Sequence, residues 1–211
     1  MKTKILAIAF LSFFTTLIAQ RNEAHVIYDM SFSSDDAMIG SQLAMLKGST
    51  MNWMFKGDKS RQEVKMGALA TTTTISDQSA GKGLMLVEGI QGKTASWMDL
   101  NSQDDEEVEV SLIEETKEIN GFTAHKAIVK NADGEETVIW YSKDFAAPEV
   151  KSRYTVKGVP GLPLAFEIKT PQMNMYFEVR EIQPKVKGGK KLFQLKVPAG
   201  FIERPIEDLM K

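Results

Sequence analysis

No cysteine occurs among the 211 residues. That excludes disulfides and excludes lipid attachment at an N-terminal cysteine, so stability must come from an ordinary core. Histidine is almost as scarce, with only His25 and His125. No G-x-S-x-G elbow, H-E-x-x-H pair or phosphate-cradling glycine loop is present, which removes the common local signatures of hydrolases, zinc proteases and nucleotide binders. No long basic tract exists either, and nucleic acid is not expected as a partner because phosphate binding needs a concentrated positive footprint. Apolar runs are also short. The longest, Ile5–Ile18, has 14 residues, where a bilayer-spanning helix needs about 20.

That run reads as a signal peptide. Lys2 and Lys4 form its basic start, Ala19 offers a small residue for cleavage, and Gln20 becomes the expected new N-terminus. A retained anchor is the other reading, opposed by the polar Arg21, Asn22 and Glu23 that follow at once. The expectation is an exported protein, periplasmic or outer-membrane-associated, with residues 1–19 as leader and 20–211 as one domain. The expected remainder, 211 − 19 = 192 residues, suffices for a single core. Without Lys2 and Lys4 it carries 24 basic and 28 acidic residues, a formal charge of −4. The one charge run, Asp104–Glu107, reads as a solvated loop.

What is present is alternation. Val26, Tyr28, Met30 and Phe32 alternate with His25, Ile27, Asp29 and Ser31, and Met51, Trp53 and Phe55 alternate with Asn52, Met54 and Lys56. The same period-two pattern runs through Leu164–Lys169, Met173–Arg180 and Phe193–Val197, as expected of half-buried antiparallel strands. Turn residues join neighbours in order: Gly57–Asp58, Asn120–Gly121, Asn131–Gly134 and Pro171–Gln172. The prediction is a mainly β chain, an antiparallel meander of about ten strands. One helix interrupts it, capped by Ser34 or Asp35, ended by Gly48 and carrying Ile39, Leu43 and Leu46 on one stripe. A second turn is expected over Ile206–Met210.

The segment GVPGLPLAFEI, Gly158–Ile168, places two prolines and two glycines before a strand. Proline cannot donate to a ladder, so pairing stops there and Leu164 begins afresh. This segment resembles the G-L-P-G-x-P-L-E stretch of an exported family catalogued as domain of unknown function 4412, and is similar to the related proteins named for a G-L-P-G-L-I motif. FKGDKSRQEVKMG (Phe55–Gly67), NGFTAHKAIVK (Asn120–Lys130), VIWYSKDF (Val138–Phe145) and FQLKVPAGF (Phe193–Phe201) extend the resemblance in order along the chain. Val159 and Ala165 depart from the motif. The resemblance implies a fold like that of periplasmic lipoprotein carriers, an incomplete or half barrel curled around one or two short helices. It carries over no catalytic or binding residue.

Methionine is abundant, eleven after the leader. Copper(I) could use thioethers, but Met51 and Met54 fall on opposite strand faces, and Met173 and Met175 lie among apolar neighbours. No metal and no cofactor is expected, and the Asn131–Glu135 block lacks the ligand spacing of a calcium loop. Area decides the rest. About ten strands at roughly 4.8 Å make a sheet near 48 Å wide, which one helix some 10 Å across cannot cover. The sheet must close on itself as a sandwich or curl around a hollow. Meander connectivity favours the curl. The expected function is therefore a monomeric, non-enzymatic envelope binding protein holding an apolar small molecule or lipid. Its expected lining is Met38, Leu43, Met45, Met51, Trp53, Phe55, Phe166, Met173, Met175 and Phe177. The alternative is a structural or interaction module with a self-packed core and an envelope protein as partner.

Overall fold

A computed structural model of the chain describes residues 20–90, 92–102, 107–146 and 155–208. The expected leader, most of the Asp104–Glu107 run and the end of the expected C-terminal turn lie outside the described residues. Eleven strands follow in order, from β1 (Glu23–Ser33), β2 (Thr50–Lys56) and β3 (Lys59–Met66) to β4 (Ala70–Asp77), β5 (Lys82–Gly89) and β6 (Gly92–Asp99). Then come β7 (Glu109–Ile119), β8 (Phe122–Lys130), β9 (Glu136–Ser142), β10 (Leu162–Lys169) and β11 (Asn174–Gln183). A two-residue β12 (Ile202–Glu203) ends the series, pairing parallel to β6. All twelve belong to one sheet, ordered β12-β6-β5-β4-β3-β2-β1-β11-β10-β9-β8-β7, antiparallel except at β12. The sheet is mainly a meander and is not closed.

That order constrains its shape. Ten strand intervals separate β6 from β7, about 48 Å if the sheet were flat. The chain from Asp99 to Glu109 takes ten residue steps, which reach at most about 36 Å. The sheet therefore bends to bring its two wings together. The bend is visible at the β7–β8 turn, whose Asn120 reaches β11, three strands away in the order, and donates its amide to the Val179 carbonyl at 3.3 Å. Asn120 and Gly121 adopt φ of 52° and 80°, the left-handed pair that a two-residue hairpin requires.

Directly opposed residues share a sheet face. One row reads Val26, Trp53, Gln62, Thr74, Met85, Ser96, and a second runs Met30, Phe177, Phe166, Ile139, Ala127. Over β1, β2 and β8–β11 this inner face holds the main core, joined by Phe145, Leu162 and Leu164. Over β5 and β6 a smaller core lies on the opposite face, where Leu84, Leu86 and Ala95 meet Leu195, Val197 and Phe201 of the C-terminal segment. The C-terminal chain thus straps the outside of one wing.

Three sequence expectations change. The strand count rises from about ten to twelve, because β4, β5 and β6 lack clean alternation. Phe193–Val197 is not a strand. It follows a 3-10 turn (Gly189–Phe193) and runs unpaired, yet its alternate residues Phe193, Leu195 and Val197 still turn inward, since any extended chain alternates sides. The helix is also shorter than expected: α1 covers Ala37–Gln42 and a 3-10 turn continues over Leu43–Leu46. Its cap is Asp36, whose carboxylate accepts from the amides of Met38 at 2.7 Å and Ile39 at 3.3 Å. Gly48 does end the segment, with φ of 77°.

Candidate functional site

The proline–glycine corner now has a geometric reading. At Gly161 a Cβ would sit 2.1 Å from the Ser142 carbonyl oxygen, so only glycine lets this chain lie against the end of β9. Pairing of β10 with β9 then shifts register between Pro163 and Ala165. The shift leaves the Pro163 carbonyl inside the protein, and the Tyr28 hydroxyl donates to it at 2.7 Å. Burial pushes the Tyr28 phenol far above its ordinary titration range. Tyr28 also meets Phe166 edge-on at 5.9 Å, and Phe166 stacks on Phe177 at 4.7 Å. This corner builds the middle of the core.

The ten expected lining residues divide in three. Met51, Trp53 and Phe55 have no exposed surface, and Phe166 and Phe177 are buried with them in the main core. Met175 packs half-buried against that core. Leu43 and Met173 are half-buried outside it. Met38 and Met45, on α1 and the turn after it, are 76% and 54% exposed. The structure therefore brings six of the ten together, in a core packed by its own neighbours: Trp53 lies 5.6 Å from Phe55, beside Val26 and Gln62 in register. The indole Nε1 of Trp53 is buried without a hydrogen-bond partner.

The histidines and the polar groups with shifted titration do not gather around one reaction centre. His25 lies 3.3 Å from the Asn52 side-chain oxygen, and the His125 ring lies 5.7 Å from that of Tyr141. Burial, then the charge of Lys143, holds His125 below its usual value. Burial raises the Tyr141 phenol. Asp77 is held low by its hydrogen bond from Lys59, with Ser79 and the Ala80 amide adding to it. Among the described residues no group of three or more acidic or histidine side chains is placed to hold a metal.

A different concavity occupies the outer face. An open groove of about 510 Å³ runs over β1, β11, β10 and β9. Asp29, Ser31, Val138, Trp140, Glu167, Tyr176 and Glu178 edge it, and Ala165 forms part of its floor. Phe166 and Phe177 also contribute to its wall. A second open groove, about 460 Å³, lies where Val108 and Glu109 approach Lys130 and Asn131. Sequence reasoning missed the first groove. Its signal was the run Val138–Tyr141, apolar on both faces, which a strand with one solvated face would not need.

No family model matches the chain, and no curated protein matches it. Among solved structures, one of PNGF-II in a C2 space group is similar, at 14% identity and a TM-score of 0.49. The match covers 89% of this chain and 32% of that one, so the chain spans about a third of that structure's length. A likeness of that size says nothing about activity.

Proposed function

We propose that the chain is an exported, non-enzymatic interaction module of the cell envelope, built as a half barrel whose interior is filled by its own side chains. The observation that carries this reading is the complete burial of Met51, Trp53 and Phe55. These residues belong to the expected ligand lining, and they sit in the main buried cluster, with Trp53 and Phe55 in ring contact. Close packing leaves no room for an acyl chain without displacing large side chains. Function is then carried by the outside of the sheet.

Site-specific photo-crosslinking in the native envelope tests this. A crosslinker on the outer face, in place of Val138, should join one defined protein. A crosslinker at exposed Ser79, on the opposite wing, should not. Crosslinks to lipid alone would overturn the reading.

A second reading, the lipid carrier, is favoured by one feature. Met38 and Met45 are highly exposed on a segment that follows β1 directly, and Phe32, Met175 and Ile168 are only half-buried in register at that end of the sheet. An apolar chain lying across this methionine-rich rim would shield them, because methionine repacks cheaply around irregular ligands. A hydrophobic dye that gains fluorescence on mixing, and loses it after Met38→Ser and Met45→Ser, would support the carrier.

A further inference from the structure

The outer face uses one kind of contact twice, once completely and once by half. Over Trp140 the chain supplies its own cation: the Lys117 ammonium sits 4.3 Å from the ring centroid. Lys126 lies 5.6 Å from the same ring while bonding Glu115 at 2.6 Å. Tyr176, across the same groove, is 40% exposed and has no cation over it among the described residues. Two carboxylates surround it. Glu167 is directly opposite on β10, and Glu178 lies two residues along β11 on the same face.

Those carboxylates are unpaired. Asp29, also on the groove, takes Arg180 at 2.7 Å. Neither Glu167 nor Glu178 has an ion-pair or hydrogen-bond partner among the described residues, and Lys169, next on the same face of β10, bridges to neither. Glu167 and Glu178 are diagonal neighbours, roughly 7–8 Å apart, a spacing at which sheet surfaces favour opposite charges. An aromatic face beside two like charges is the arrangement that an ammonium or guanidinium completes, by cation–π contact and by ion pairing together.

We propose that the groove seats a lysine or arginine side chain of a protein partner, held between the Tyr176 ring and the carboxylates of Glu167 and Glu178. The assignment rests on the interaction reading above and names the chemistry of that partner: a basic segment, with the apolar Val138 and Ala165 contacting its neighbours. Its complementarity is electrostatic, so binding weakens with salt.

The test titrates the whole protein with a blocked Gly-Arg-Gly peptide, read by amide chemical shifts, beside the same peptide carrying neutral citrulline. Arginine should move the resonances of Tyr176, Glu167 and Glu178. Citrulline, or the Glu167→Gln/Glu178→Gln variant, should bind about tenfold more weakly, the loss expected when a charge pair is removed. Equal binding of both peptides, or no change in the double variant, overturns the proposal. Both variants are at sites only partly buried or exposed, so the fold remains to be read in the same spectra. The two readings fail separately. A double variant that still crosslinks its partner in the envelope removes the groove but keeps the interaction module. A native chain that crosslinks no protein removes the module, while the peptide titration still decides the groove.

Discussion

The Tyr28 hydroxyl and the Pro163 carbonyl, 2.7 Å apart, join two strands that are not neighbours in the sheet. Tyr28 lies on β1, Pro163 on β10, and β11 separates them. The contact exists because a register shift at Pro163 removes that carbonyl from the ladder, and a buried carbonyl without a donor is costly. Tyr28→Phe keeps the ring and removes the donor. It should lower stability by about 1–3 kcal/mol, measured by urea unfolding. A loss near zero would mean that the carbonyl finds another partner.

Gly161 makes the same corner possible. A methyl there would meet backbone, the Ser142 oxygen at 2.1 Å and its carbon at 2.9 Å, and backbone cannot step aside as a flexible side chain can. Gly161→Ala should cost at least the roughly 1–3 kcal/mol of an overpacked core site. Gly40→Ala, with open space around the position, should instead stabilise by up to about 1 kcal/mol. Thermal melts of the two variants should move in opposite directions.

Trp53 is both fully buried and left with an unpartnered indole nitrogen. Trp53→Ala should cost about 3–5 kcal/mol, as large core truncations do. Trp53→Phe loses less volume and also removes the unsatisfied donor. Its cost should be under half of that for alanine, read from the same unfolding curves. Comparable losses would indicate that the indole nitrogen holds a water or another partner.

Much of this fold was legible in the sequence. The alternations at Val26–Phe32, Met51–Phe55 and Met173–Val179 correspond to β1, β2 and β11 with their inner faces as expected. Asn120–Gly121 marked its hairpin because both residues tolerate positive φ. The strands β4–β6 were not legible. Thr71–Thr74 presents the same residue to both faces, and Gly83–Val87 is apolar on both because the C-terminal segment covers the outer side. The candidate lining was picked by residue type, which does not show how deeply each residue is buried. Met51, Trp53 and Phe55 are fully buried because the far wing, with Ile119, Ala124 and Phe145, joins the same core, a contact set by topology.

Stability should fall in acid through Asp77. Its carboxyl is held low mainly by the Lys59 hydrogen bond, and Lys59 is correspondingly raised. A depressed carboxyl stabilises the fold above its unfolded value, and that contribution is lost as pH falls through the folded value. His125 adds to the trend, since a histidine held low favours the unfolded, protonated chain as pH drops. Asp77→Asn should flatten the acid limb of a melting-temperature profile and leave its slope near neutrality unchanged. An unaltered acid limb would remove Asp77 from the account.

The most direct measurement is the intact mass of the native protein, purified from its own source without detergent exchange and kept folded in the spectrometer. A sheet interior already occupied by Trp53, Phe55 and their neighbours predicts the mass of the bare polypeptide. A stoichiometric excess released as lipid on gentle activation would mean that the interior opens for cargo, and the self-filled interior would have to be abandoned.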